Sequence, residues 1–82
     1  MDNDMKNQVK GNLNKRVVAS VTRRYCAKFG VYTSLNDGKT YNADGDVVDL
    51  NALTVDDMLD TFDTSDLRGV LKSRAYRKTL QK

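Results

Sequence analysis

The spacing of apolar residues between positions 12 and 29 predicts an amphipathic helix. The apolar side chains of this stretch are Leu13, Val17, Val18, Val21, Tyr25 and Phe29. At about 100° per residue they fall on one arc of a helix, with Arg16 and Arg23 on the opposite side. Two of the valines are adjacent, so the strict alternation of a half-buried strand is not met. Gly30 then supplies a helix stop.

Residues 31–50 lose the helical spacing and contain β-branched and aromatic residues separated by turn signals. The turn signals are Asn36-Asp37-Gly38 and Asp44-Gly45, which favour tight turns between strands. We expect a short β hairpin or a three-stranded meander here. Because the alternation is imperfect, an irregular loop is the competing interpretation.

The stretch from Leu53 to Asp63 carries the strongest helix signal in the chain. Thr54 is a suitable N-cap, with Asp57 three residues later in the place of a capping-box acid. The apolar side chains that follow at helical spacing are Val55, Met58, Leu59 and Phe62. We expect a helix that buries this stripe.

A second helix start follows at once at Thr64 or Ser65. Its apolar stripe is Leu67, Val70 and Leu71. Gly69 inside the stripe costs about 1 kcal/mol relative to alanine, which predicts close packing at that point. After Ala75 the periodicity disappears, and we expect a basic tail that frays.

Together these elements predict an α+β fold of one small domain. The expected order is an N-terminal helix, a short β hairpin or meander, and a C-terminal two-helix hairpin; if the middle segment does not pair, the fold is all-α. Residues 1–11 lack periodicity and are predicted to be a flexible arm, with residues 12–82 forming the compact domain and its basic tail. The predicted core consists of Val17, Val18, Val21, Tyr25, Phe29, Val47, Leu53, Met58, Leu59, Phe62, Leu67, Val70 and Leu71.

The composition argues against catalysis. The 82 residues include no histidine and a single cysteine, so the commonest general base and the commonest metal ligand are both missing. Residues 40–51 resemble a calcium loop around Gly45, but Thr40 and Asn51 occupy the end positions that need carboxylates. We therefore expect a protein that is not an enzyme, with no catalytic residues, no metal site and no cofactor.

The sequence also indicates where the protein acts. No apolar run approaches the roughly 20 residues that span a bilayer, and the N-terminal stretch has no apolar signal region. We expect no membrane insertion and a cytoplasmic location, in a host cell if the protein is foreign to it. The lack of Pro, His, Trp and Glu gives a composition typical of phage or mobile-element accessory proteins.

Charge is segregated along the chain although the net charge is only +3. Residues 1–36 carry seven Lys or Arg against two Asp, residues 37–66 carry nine Asp against one Lys, and residues 67–82 carry six Lys or Arg and no acid. The candidate basic contact residues are Arg16, Arg23, Arg24, Lys28, Lys72, Arg74, Arg77 and Lys78. The candidate acidic contact residues are Asp56, Asp57, Asp60 and Asp63.

Segregated charge of both signs favours a small regulatory or interaction protein. The acidic middle argues for a protein partner, which is the first hypothesis, and the charge pattern also permits pairing with a second copy of the chain. The alternative is a nucleic-acid-binding protein whose first helix and C-terminal tail contact phosphates. The absence of any acid on the basic face of the first helix supports that alternative.

Overall fold

A computed structural model describes residues 2–80 of the chain, with side chains described from Asp4 onward. The described residues form α1 (Asp2–Lys10), α2 (Lys15–Phe29), β1 (Tyr32–Thr33), β2 (Thr40–Tyr41), α3 (Val55–Asp60), α4 (Thr64–Leu71) and α5 (Arg74–Leu80). Helices with a short antiparallel sheet confirm the predicted α+β class.

The segment predicted to be a flexible arm is instead helix α1, which is a correction to the sequence interpretation. Val9 is completely buried and Met5 packs against the core. One buried valine among nine mostly polar residues leaves no periodic stripe that a pattern search could detect. The compact domain therefore begins well before residue 12.

Helix α2 begins and ends at well-defined caps. The Asn14 side chain accepts a hydrogen bond from the Val17 amide at 2.9 Å, which satisfies one of the unpaired amides of the first turn. Gly30 ends the helix with φ of 63°, a left-handed conformation that favours glycine. A Cβ at Gly30 would also lie 2.8 Å from the Cβ of Ala43, so the glycine lets the next loop pack against the helix end.

The predicted hairpin forms, but it is short. Tyr32 pairs with Tyr41 and Thr33 with Thr40 in antiparallel register, and the third strand of a meander is reduced to a single bridge between Tyr41 and Val47. The prediction that Val47 belongs to the core is wrong, since its side chain is 63% exposed.

Helices α3 and α4 each start with a capping box. Thr54 and Asp57 form the first, as the sequence predicts, and Asp63 and Asp66 form the second. The second N-cap is therefore Asp63, one residue before the predicted candidates, because its carboxylate accepts the Asp66 amide at 2.9 Å. The stretch predicted to fray forms α5 instead, anchored by the buried Tyr76.

The core lies between the helices, where α2 contacts α3, α4 and α5 and α1 contacts α4. The buried apolar side chains are Val9, Val17, Val21, Met58, Leu59, Phe62, Leu67, Val70 and Tyr76. Apart from Val9 and Tyr76, all of them are predicted from the sequence. The remaining predicted core residues, Val47 excepted, are half-buried at its margin: Val18, Tyr25, Phe29, Leu53 and Leu71. No helix of the described residues is long and apolar enough to cross a membrane.

Candidate functional site

The acidic side chains between residues 56 and 66 face basic side chains of the same molecule. We call Asp56, Asp57, Asp60, Asp63 and Asp66 the acidic band. Every ion pair among the described residues involves this band. Two of the pairs come from α1, where Lys6 lies 3.0 Å from Asp60 and Lys10 lies 3.5 Å from Asp56. Lys6 and Lys10 are four residues apart and so share one face of α1.

The C-terminal half of α2 supplies the other pairs. The Lys28 ammonium lies 2.5 Å from the Asp66 carboxylate and 3.9 Å from that of Asp63. The hydrogen bond from Lys28 is the main reason why the pKa of Asp66 is lowered below 3.8, and the same bond raises the pKa of Lys28 above 10.5. Both groups therefore stay charged across the neutral range.

Arg24 also contacts α4, at Asp66 and at Gly69. Its guanidinium lies 3.8 Å from Asp66 and rests directly on the backbone of Gly69, where an added Cβ would come within 2.1 Å of an Arg24 nitrogen. The close packing predicted at Gly69 is therefore a contact with a cation. Arg24 and Lys28, both candidate contact residues, are already engaged within the protein.

Asp57 has a different structural role. Its carboxylate accepts a hydrogen bond from the Thr54 amide at 3.2 Å as part of the first capping box. With Asp56, Asp60 and Asp63 in ion pairs, each of the four acidic contact candidates already has a partner within the chain.

A basic groove lies between α2 and α5, next to the ion-paired region of α2. Its volume is about 350 Å³, and its lining residues are Arg16, Ala19, Ser20, Arg23, Ser73, Arg74, Ala75 and Lys78. We use the name basic groove for this set. It brings together four of the eight basic candidates, two from each of two segments that are more than 50 residues apart in sequence.

The two walls of the basic groove follow from helix geometry. Arg16 and Arg23 are seven residues apart, so they lie on the same face of α2, about 10 Å apart along its axis. On α5, Arg74 and Lys78 are each two residues from the buried Tyr76. At about 100° per residue, they project from the side of the helix away from the core.

Helix α5 is fixed against the start of α2 and the end of α1 by polar contacts. The Asn14 amide donates to the Thr79 hydroxyl at 2.6 Å, and the Asn12 amide donates to the Tyr76 hydroxyl at 3.2 Å. These contacts hold both walls of the basic groove at a set separation. Among the described residues, none of the four cations of the basic groove forms an ion pair.

Two basic candidates remain outside this site. Lys72 caps the end of α4 and Arg77 lies on α5; both are exposed, and neither lines the basic groove. The C-terminal segment shows no periodicity that separates them from Arg74 and Lys78 in the sequence. Ser20 and Ser73, whose small side chains help to leave the groove open, carry no sequence signal either.

Nothing in the described part of the chain suggests a different chemistry. The described residues contain no cluster of His, Cys, Asp or Glu that could hold a metal ion. Cys26 is a half-buried free thiol on α2. Comparison of the chain with models of protein families, with curated proteins and with solved structures finds no match.

Proposed function

We propose that this protein is a non-enzymatic nucleic-acid-binding protein that holds phosphates in the basic groove. One observation carries the proposal: four cations from two helices line one concave surface, and none of them is neutralised by a carboxylate among the described residues. Clustered Lys and Arg side chains bind nucleic acid by neutralising phosphates and releasing counterions.

The same pairing pattern reduces the main argument for a protein partner. That argument relies on acidic charge that is not balanced within the chain, whereas each carboxylate of the acidic band has a partner on α1, on α2 or at a helix cap, even though the side chains of Asp56, Asp60 and Asp63 stay 66%, 65% and 69% exposed. Because the acidic band neutralises α1 and the end of α2, the unbalanced positive charge is left in the basic groove and on α4 and α5. A regulatory accessory factor in the cytoplasm, where a free thiol such as Cys26 stays reduced, fits this function.

The decisive experiment is a fluorescence anisotropy titration of labelled duplex DNA and single-stranded RNA. It should compare about 50 and about 200 mM salt, because phosphate contacts lose affinity steeply with salt. Three proteins are needed: the natural one, Arg16→Gln with Arg23→Gln, and Arg68→Gln with Lys72→Gln. The third is the matched control, since it removes the same charge from exposed side chains that neither form ion pairs nor line the groove.

We expect the groove variant to bind about 30-fold more weakly, which corresponds to about 1 kcal/mol for each lost contact. The control variant should lose much less. An equal loss in both variants would mean that net charge alone attracts the nucleic acid. No binding by the natural protein at the lower salt would reject the proposed function.

A second candidate function is supported by the hairpin. Tyr32, Leu35 and Val47 are 54%, 102% and 63% exposed, and large apolar side chains concentrated on one short segment favour contact with another protein. In co-purification, a partner that is lost with Leu35→Asp and retained with Arg68→Gln would support this function. Analytical ultracentrifugation of the same two variants then tests whether the partner is a second copy of the chain.

A further inference from the structure

We infer that the basic groove receives the sugar–phosphate backbone of a double-stranded nucleic acid, along one strand, without recognising base sequence. Since phosphate binding in this groove is itself the proposed function, the inference rests on it and narrows it to one class of ligand. Three features of the groove support it: its concave shape, its lack of stacking surfaces and its limited length.

Because the groove is concave, it fits a part of the ligand that projects outward better than a part that is recessed. Base edges lie at the bottom of the grooves of a duplex and are reached by protein elements that protrude. Here Arg16 and Arg23 of α2 and Arg74 and Lys78 of α5 line one concave surface, and the rest of its lining consists of the small side chains of Ala19, Ser20, Ser73 and Ala75. A backbone strand is the part of a duplex that projects outward, so it can enter between the walls and meet cations on both sides.

The groove offers no surface on which an unpaired base could stack. Proteins that bind single strands combine a positive groove with exposed aromatic side chains, each stacked base contributing about 1–3 kcal/mol. Within the described residues, no aromatic side chain lines the basic groove. Tyr76 is buried, and Tyr25 lies against Phe29 with ring centroids 4.8 Å apart at the edge of the core.

The remaining tyrosines belong to the hairpin and do not extend the groove. Tyr32 and Tyr41 stack on each other with centroids 6.0 Å apart, and the Tyr41 hydroxyl donates to the carboxylate of Asp37. An aromatic pair beside a carboxylate is a poor site for a polyanion. The aromatic residues of the described chain therefore supply no stacking surface next to the four cations.

The length of the groove limits the number of phosphates. The rise of about 10 Å between Arg16 and Arg23 corresponds to about three phosphate spacings, and so to about four phosphates of one strand, at about 3.4 Å per phosphate along a duplex axis. Arg23 also lines an adjoining depression together with Arg24, Lys28 and Asp66, where Arg24 and Lys28 are paired with Asp66, and Lys28 also with Asp63. With about four phosphate contacts, the logarithm of the affinity should fall with the logarithm of the salt concentration with a slope of about −3.6.

The test measures anisotropy with four labelled probes of equal length: duplex DNA, duplex RNA and one single strand of each. A second duplex DNA of unrelated sequence tests for base recognition. We expect the duplexes to bind at least about five-fold more tightly than the single strands, since stacking does not contribute here. We expect the two duplex sequences to agree within about three-fold and a duplex slope of about −3.6 that falls to about −1.8 in Arg16→Gln with Arg23→Gln.

The outcomes separate this inference from the proposed function. Tighter binding of single strands, or a strong preference for one duplex sequence, would overturn the inference while leaving nucleic-acid binding by the groove in place. A lack of binding to all of the probes would overturn both. The DNA and RNA duplexes share the backbone chemistry inferred here, and the difference between their affinities identifies which of them the groove prefers. Circular dichroism of each variant tests whether it is folded.

Discussion

The two halves of the charged surface of α2 have the same sign but opposite surroundings. Arg24 and Lys28 lie beside the start of α4, where Asp63 and Asp66 cap the helix and pair with them. Arg16 and Arg23 lie beside α5, whose side chains on that face are also basic. Basic residues adjacent in sequence therefore differ in role according to which helix packs next to them.

This difference separates cations that stabilise the fold through ion pairs, such as Arg24 and Lys28, from cations that line the basic groove without an ion pair, such as Arg16 and Arg23. Exposed ion pairs each stabilise a protein by only about 0–1 kcal/mol, but together they link α1 to α3 and α2 to the start of α4. The cations of the basic groove have no such role, and bringing Arg16 and Arg23 next to Arg74 and Lys78 costs some repulsion. A cost of this kind is typical of a surface that a ligand later neutralises.

Truncating Val9 should destabilise the protein most, and it tests whether α1 is docked on the core. Val9→Ala should lower the free energy of unfolding by about 2 kcal/mol, because it removes two methyl groups from the fully buried core. Urea denaturation followed by circular dichroism measures the change, with Asn7→Ala at an exposed position of the same helix as the control. A loss below about 0.5 kcal/mol would mean that α1 is not docked, as the sequence alone suggests.

A smaller loss of stability is expected when the ion pairs between Asp66 of α4 and the end of α2 are removed. Asp66→Asn should lower the free energy of unfolding by about 1 kcal/mol, since it removes the charge that holds Lys28 and Arg24. Once released, Arg24 can reach phosphates. The slope of the logarithm of duplex affinity against the logarithm of the salt concentration should therefore become steeper by about one.

Asp60→Asn is the control for that experiment, because its partner Lys6 belongs to α1 and neither residue lines the groove. A steeper slope in both variants would show that overall charge, rather than the release of Arg24, is responsible. An unchanged slope in Asp66→Asn would show that packing against Gly69 is enough to hold Arg24 in place.

The pH dependence of stability should report the same ion pair. The pKa of Asp66 is lowered when the protein folds, so its contribution is complete above the unfolded pKa of about 3.8 and is lost as the pH falls through the folded value. The pKa of Lys28 is raised, so its contribution is complete below about 10.5 and is lost as the pH rises through the folded value. The stability difference between the natural protein and Asp66→Asn should therefore be largest at neutral pH and shrink in acid and in alkali. A constant difference from acid to alkali would contradict the pairing.

The smallest effect is expected at Gly69. Alanine there gains about 1 kcal/mol of helix propensity, but its Cβ displaces the end of the flexible Arg24 side chain. We expect a net gain of about 0.5 kcal/mol in the free energy of unfolding, measured by urea denaturation. A loss above about 1 kcal/mol would instead show that the Arg24 guanidinium is rigidly held.

The sequence predicts much of the fold because most core residues occur at regular helical spacing. Val17, Val21, Met58 and Leu59 are examples, and the caps at Thr54 and Gly30 are equally local signals. The sequence does not predict that Val9 is in the core, because a single buried residue creates no period. It does not predict Tyr76 either, because the helix of Tyr76 is short and its neighbours are basic.

The site is harder to predict because pairing is a tertiary property. Arg23 and Arg24 are adjacent in sequence, and only the packing of α4 and α5 decides that one is unpaired and the other is held by Asp66. The opposed blocks of charge are visible in the sequence, but which cation meets which carboxylate is not. The spacing of Lys6 and Lys10 was the one local sign of a shared basic face on α1.

The contact between Tyr76 and the first part of the chain also constrains how the protein folds during synthesis. Asn12 reaches the Tyr76 hydroxyl across 64 residues of sequence, and Asn14 reaches Thr79 across 65. A growing chain on the ribosome can form the local helices early, but these long-range contacts must wait until α5 has been made. The basic groove, which needs both α2 and α5, is therefore among the last features of the domain to be completed.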